Sequence, residues 1–415
     1  MRQQSEIMGP QMNATLKGQD LPVLIAGGGI GGFAAALALS RKNIRSQIIE
    51  QSDEFREVGA GIQLGPNVFR MFQMLGITDA INEVAVFPDW IVMNDALSGK
   101  LITRYPINTS AFMDRFEFPY GVIYRPDLHN VLIDACKASP LVEMKLNTTV
   151  TGFEDRGGLV QITTEGGETI DGCALIGADG LWSAIRSEIV GDGAPRVSGH
   201  IAYRAVLPTS AVPEANRINE VVLWAGPRTH LVHYPLHKSE IFNLVAVFHS
   251  ERYEEGWDTV GATAELEKHF AGQHENVQNM MEKIESWRMW VLCDREPIKN
   301  WSRGNVTLLG DAAHPMLQYL AQGACMAIED GVCLAGKMAS NQDDIPLAFL
   351  QYQADRYLRT ARVQLTARLY GDVYHAAGPT AELRHMMLSG RTTEQSYDGF
   401  NWLYTGVNNE GIQQL

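Results

Sequence analysis

The sequence predicts an α/β protein in three parts. A parallel-sheet domain is built in two visits of the chain, a mainly antiparallel sheet is inserted between them, and a helical segment closes the C-terminus. Three observations carry this reading. A glycine-rich turn follows the first apolar strand. Two further strand–turn segments containing Gly and Asp lie at residues 174–186 and 305–315. Between them the pattern changes to short alternating strands.

Residues 1–20 are polar, contain Pro10 and Gly18, and lack a basic stretch followed by an apolar one, so they read as a disordered leader and not a signal peptide. Residues 21–26 (LPVLIA) then form a short apolar run suited to a buried strand. Gly27, Gly29 and Gly32 follow at G-x-G-x-x-G spacing and lead into an amphipathic helix. The next apolar run ends in Glu50, 18 residues past the last glycine and close to the roughly 20 expected for an acid that binds a ribose diol. One glycine permits the tight turn, one lets backbone approach a pyrophosphate, and one lets helix pack on strand, with the helix N-terminus facing the phosphate charge. The segment therefore reads as the dinucleotide-binding turn of a Rossmann-like domain, without choosing between NAD and FAD.

Residues 174–186 (ALIGADGLWSAIR) run from a strand into Asp179 and then a helix. Residues 305–315 (NVTLLGDAAHP) run from a strand into Gly310 and Asp311. Alone, either could be a strand–turn–helix with an N-capping aspartate. Between the two, residues 199–248 alternate as four short strands, the usual pattern of a separate antiparallel sheet, followed by a helical stretch. Expected boundaries are 21–198 and 293–345 for the two parts of the first domain, with further strands of the inserted sheet near 88–120. The inserted domain is expected at 199–292 and the helical region at 346–415, its aromatic tail GFNWLYTGV serving as a cover or dimer contact.

With the glycine turn, the two aspartate segments resemble the single-component FAD-dependent hydroxylases of the para-hydroxybenzoate hydroxylase type, which carry these three motifs in this order. The resemblance implies non-covalent FAD, with Asp311 on the ribityl chain, Glu50 on the adenosine ribose and Arg125, in YRPDL, beside ribityl and pyrophosphate. Asp179 belongs to a segment serving both FAD and the visiting nicotinamide. Gly323 and Ala324, where helical periodicity resumes, would put N–H groups at a helix N-terminus toward the flavin, where negative charge is stabilised. The chain has no second glycine fingerprint and no C-x-x-C pair, which argues against the disulfide-reductase class of flavoproteins.

Within that superfamily the segments EVGAGIQLGPN, GPRTHLVHYPL, CDREPIKNW and GDAAHPMLQYLAQGACMAIED resemble the 3-hydroxybenzoate 6-hydroxylase family over nearly the whole chain. The resemblance implies His230 and Gln318 as partners of a substrate phenol, His230 as general base and Gln318 as donor to the developing phenolate. Tyr234 and Tyr120 are implied as contacts of the carboxylate or ring. Tyr234 lies four residues after His230 and so shares its face on a strand. His314 is expected to shape the flavin loop. The expected co-substrates are a small aromatic acid, O2 and NADH, although no motif separates NADH from NADPH. No arginine for the carboxylate stands out in the matched segments. Salicylate or 6-hydroxynicotinate hydroxylase, an FAD dehydrogenase or oxidase, and a non-catalytic flavin-binding module remain open alternatives.

Composition sets outer limits. A net charge of −14 argues against a nucleic-acid partner, and it means that an anionic substrate needs locally placed donors. Five scattered cysteines suit free thiols in a reducing cytoplasm. No stretch makes a convincing membrane span; no metal site is expected, and a homodimer is possible.

Overall fold

The computed structural model describes residues 21–55, 59–250, 259–284, 286–408 and 411–412. The expected leader at 1–20 lies outside these. The core of the first domain is a six-stranded sheet in the order Ser302–Arg303, Val306–Leu308, Ala174–Gly177, Val23–Ala26, Ser46–Ile49 and Val142–Lys145. All neighbours pair in parallel except the edge hairpin of the first two. Val23–Ala26 and Ala174–Gly177 are buried throughout, as parallel strands covered on both faces must be. The helices Ile30–Arg41 and Gly323–Ser340 pack against each other over this sheet. Their contact is close because Gly331 meets the backbone of Ala34 and Ala35.

The second sheet has eight strands, in the order Thr259–Val260, Arg288–Asp294, Arg196–Pro208, Ile241–His249, Thr229–Leu236, Glu220–Gly226, Trp90–Asp95 and Leu101–Pro106. Every pairing is antiparallel except that of Glu220–Gly226 with Trp90–Asp95. One face packs on the helices Thr263–Phe270 and Glu275–Met281 through Leu231, Leu244, Phe248 and Trp287. The other face looks toward the first domain. A boundary at 198/199 cuts the strand Arg196–Pro208, whose ladder runs from Arg196↔Asp294 through an irregularity between Val197 and Ile201. Gly199, at φ 77°, makes that irregularity and so reads as a break in the sequence.

The C-terminal region is helical: Ile345–Tyr374, Pro379–Ser389, and the short Thr393–Asp398 and Asn401–Tyr404. The helix Ile345–Tyr374 is anchored to Gly323–Ser340 by buried charges. Arg356 bonds Glu329 and Asp330, each at 2.7 Å, and Arg359 bonds Glu329 at 2.7 Å. Each of the two guanidiniums therefore has a carboxylate beside it in the buried cluster. No helix among the described residues is long and apolar enough to cross a membrane.

Candidate active site

The C-terminal ends of Val23–Ala26, Ala174–Gly177 and Val306–Leu308 open on a cavity of about 860 Å³, the expected place for a ligand of a parallel sheet. On this side its wall is mostly backbone: Gly29, Gly31, Ala178, Gly180, Gly310 and Gly323. The three fingerprint glycines divide their work. A Cβ on Gly29, at the N-cap of Ile30–Arg41, would meet nothing within 4 Å and would stand in the cavity. Gly27, at φ 109°, lies so close to the turn after Ala174–Gly177 that a Cβ would sit 2.3 Å from the Ala178 oxygen. A Cβ on Gly32 would sit 2.0 Å from the Gly27 oxygen. Gly27 and Gly32 therefore shape the turn from behind, and Gly29 faces the ligand.

Glu50, just past Ser46–Ile49, accepts hydrogen bonds from the Gly28 N–H (2.7 Å) and the Ser52 N–H (3.0 Å), which holds its carboxylate against the glycine turn. Arg125, Asp311 and Ala324 line the cavity; Glu50 and Asp179 do not. Asp179 accepts from the Ser183 hydroxyl and, at 3.2 Å, from the Ile185 N–H, so its side chain caps the turn into the helix Ala184–Ile189. Burial raises its pKa, with the Ser183 and backbone bonds acting against that. Gly323 opens the helix Gly323–Ser340, placing its free N–H groups at the cavity wall. His314 does not line the cavity. It is buried against Asp330, which also accepts from the Gly310 N–H, so the pair ties the Asp311 turn to the helix.

The far side of the cavity is built from side chains on separate elements. His230, Val232 and Tyr234 point into it from alternate positions of Thr229–Leu236. Leu231 and His233 face the opposite way, His233 accepting from the Trp224 indole N–H at 3.2 Å. Tyr120 lies between and donates to Gln63. Gln318 comes from the short 3-10 turn Gln318–Leu320. Phe400 and Tyr404 bring the aromatic tail into the wall. The structure thus gathers His230, Gln318, Tyr234 and Tyr120 around one space.

His230 is 2% exposed, and its Nδ1 shares a hydrogen bond with His375 Nε2 at 2.7 Å. Its Nε2 has no partner among the described residues and is the nitrogen left for the cavity. Burial, then the neighbouring His200 and His249, push His230 down to about 3. Burial lifts the Tyr234 phenol above its usual range.

Arg204, from the strand Arg196–Pro208, is the residue that the sequence motifs missed. It lines the cavity, lies 5.0 Å over the Trp290 ring and donates through Nη2 to the Gln318 carbonyl oxygen. Its Nε is buried with no partner among the described residues. Burial, then repulsion from Arg125, lowers it to about 10. No carboxylate faces it among the described residues. A half-buried cation without a counter-charge is costly, and an anionic ligand supplies what is missing. The signal in the sequence was faint: an arginine at an inward position of a predicted strand, outside every motif.

The glycine-lined wall, the amide end of Gly323–Ser340 and Arg125 suit a flavin dinucleotide, whose rings and phosphates would occupy the space that a Cβ at Gly29 would fill. They define a flavoprotein, and the chain belongs to the FAD binding domain family, whose model matches residues 20–364. It is 46% identical over 385 residues to the 3-hydroxybenzoate 6-hydroxylase of Polaromonas naphthalenivorans (strain CJ2), covering 93% of this chain and 96% of that one. It is 43% identical over 383 residues to 3-hydroxybenzoate 6-hydroxylase 1 of Aquipseudomonas alcaligenes, covering 92% and 97%. Among solved structures, Klebsiella pneumoniae HpxO complexed with FAD and uric acid shares the fold, with a TM-score of 0.81 at 24% identity over 94% of this chain and 99% of that one.

Proposed function

We propose that this protein is a single-component flavin hydroxylase that converts 3-hydroxybenzoate to gentisate (2,5-dihydroxybenzoate) with NADH and O2. The observation that carries the proposal is the pairing, in one cavity, of a His230 nitrogen without a partner and an Arg204 guanidinium without a counter-charge among the described residues. A phenol that is also a carboxylic acid answers both. The relatives named 3-hydroxybenzoate 6-hydroxylase support the choice of acid.

His230 Nε2 takes the phenol proton. Deprotonation makes the ring electron-rich ortho and para to the oxygen, and attack para to the hydroxyl gives gentisate. Arg204 receives the carboxylate as a charge-assisted hydrogen bond partner. With the Gln318 carbonyl held by Arg204, its amide N–H2 is the end left to donate to the phenolate. Tyr234 and Tyr120 close on the ring or carboxylate. Gly29, Arg125, Asp311, Gly323 and Ala324 would hold FAD, with Glu50 toward its ribose, and the bound flavin would supply the chemistry that activates O2 with electrons from NADH.

The magnitudes constrain how the proton moves. A phenol titrates near ~10, whereas His230 is pushed down to about 3. Burial therefore disfavours a resting imidazolium at His230, so donors around the phenol and onward movement of the proton both favour the transfer.

The helix Ile345–Tyr374 leaves Leu350, Leu358 and Leu365 exposed on one side. This supports a homodimer, to be checked by sedimentation. The decisive experiment for function is NADH and NADPH oxidation by the purified protein with and without 3-hydroxybenzoate, followed by product separation. Strong stimulation with gentisate as product is expected. Stimulation by salicylate or 6-hydroxynicotinate alone moves the substrate, and no stimulation by any phenolic acid overturns the hydroxylase.

A further inference from the structure

We infer that the proton removed from the substrate phenol leaves the cavity through a relay of three imidazoles, from His230 to His375 and then to His249 at the protein surface. The inference rests on the phenol-hydroxylase reading given above.

Sequence places the three far apart, and the fold aligns them. His230 sits opposite Val247 in the pairing of Thr229–Leu236 with Ile241–His249, so His249, two residues on, shares its face. His375 caps the C-terminus of Ile345–Tyr374, where the helix ends against the second sheet. Its N–H donates to Gly371 O (3.1 Å) and its carbonyl accepts from the Arg228 N–H (3.0 Å). The Arg228 carbonyl accepts in turn from the His249 N–H (3.1 Å), so one short backbone chain fixes the spacing of the outer pair.

The side chains form an unbroken line. His230 Nδ1 lies 2.7 Å from His375 Nε2, and His375 Nδ1 lies 2.9 Å from His249 Nε2. His375 is 6% exposed, while His249 is only partly buried. A neutral imidazole has one donor and one acceptor nitrogen. If each Nδ1 carries its proton, every bond in the line is satisfied and His230 Nε2 presents a lone pair to the cavity. When that nitrogen takes the phenol proton, the His230 Nδ1 proton passes to His375 Nε2. The His375 Nδ1 proton passes to His249 Nε2, and the His249 Nδ1 proton leaves to water. Three bonds to hydrogen form on the three Nε2 atoms and three break on the Nδ1 atoms. The phenolate keeps the electron pair, and no buried imidazolium persists.

The surroundings favour passage over storage. Burial, followed by the other imidazoles, holds His375 well below the usual imidazole range. At the outer end, burial, Arg228 and His269 also disfavour charge on His249, but Asp372 acts on it in the opposite sense. His200 flanks the line without joining it, its Nδ1 bonded to the Tyr319 hydroxyl at 2.6 Å. The ligand atoms of His200, His249 and His375 lie within 4.8 Å of one another, so a transition metal there is the rival use of the same side chains.

The test mixes the FAD-loaded enzyme with 3-hydroxybenzoate, without NADH or O2, in a stopped-flow instrument. Phenolate absorbance and an indicator dye report the proton leaving the site. His375→Gln and His249→Gln each keep a polar side chain but cannot pass a proton along. Proton release is expected to slow at least about tenfold in both, with the substrate Kd within about twofold. Free imidazole is expected to restore the rate in His375→Ala. Wild-type release rates in both glutamine variants overturn the relay, as does stoichiometric zinc in the purified enzyme. So does substrate turnover with no proton released on binding. A wild-type enzyme that neither binds nor turns over any hydroxybenzoate instead overturns the functional reading on which the relay stands.

Discussion

The two walls of the cavity are made differently. The dinucleotide wall is mostly backbone, and its chemistry comes from glycines that bring N–H groups and helix ends close to a ligand. The opposite wall is side chains drawn from six distant segments: Tyr120, Arg204, His230, Gln318, Tyr374 and Tyr404. A backbone wall tolerates no added atoms. A side-chain wall tolerates substitutions that keep its shape and loses one function at a time.

The comparison can be broken first at Gly27. Gly27→Ala forces a Cβ to 2.3 Å from the Ala178 oxygen at φ 109°. The variant is expected to purify without flavin, and retention of a full complement of bound FAD by absorbance would contradict the division drawn here. His230→Ala is the matching change on the other wall. It should keep its flavin and bind 3-hydroxybenzoate nearly as tightly, while hydroxylation falls about 10²–10⁴-fold, the usual worth of a positioned base. Equal losses in binding and turnover would remove His230 from that role.

Outside both walls lies the buried charge cluster, in which Asn67 links Glu329 to Gln322 at the start of Gly323–Ser340. Glu329→Ala removes the carboxylate that Arg356 and Arg359 share, leaving Asp330 beside Arg356. Breaking such a cluster costs roughly 3–5 kcal/mol, read as a lower chemical-denaturation midpoint. The effect of Arg204→Gln is smaller and more selective. Hydrogen bonds to charged groups contribute about 1.5–3 kcal/mol, so KM for 3-hydroxybenzoate should rise about 10–100-fold. Binding of 3-hydroxybenzyl alcohol, which lacks the carboxylate, should hardly change. A parallel loss for both ligands would make Arg204 a packing residue.

How far each wall was legible in the sequence follows from the same difference. Gly27, Gly29, Gly32 and Glu50 act through a turn of fixed geometry between adjacent elements, so their spacing encodes their place. Asp179 also lies in a local motif, where its carboxylate accepts from Ser183 and the Ile185 N–H. His230 and Gln318 were found only through the resemblance. Nothing in spacing brings residue 318 to residue 204, or residue 375 to residue 230. Those meetings depend on how the second sheet and the long C-terminal helix dock, a tertiary event with no local signature. Arg204 and His375 were missed for that reason, although both are ordinary residues of well-formed elements.

The finest division runs through a single strand. His230 and His233 are three residues apart on Thr229–Leu236 and both titrate low, yet one faces the cavity and the other the sheet's own core. Burial holds His233 at about 4, below the ~6.5 of an unfolded chain. Between those values the unfolded state binds a proton that the folded state refuses, so stability rises with pH from about 4 to 6.5 and is lost on acidification through that window. Each such histidine adds a slope of about 1.4 kcal/mol per pH unit. His233→Gln keeps an acceptor for the Trp224 indole but cannot titrate. Denaturation midpoints measured from pH 4 to 7 should therefore flatten by one proton's worth, with hydroxylation at neutral pH unchanged. An unchanged slope would mean that His233 is already protonated in the folded protein. A loss of hydroxylation would mean that the two faces of this strand are not independent.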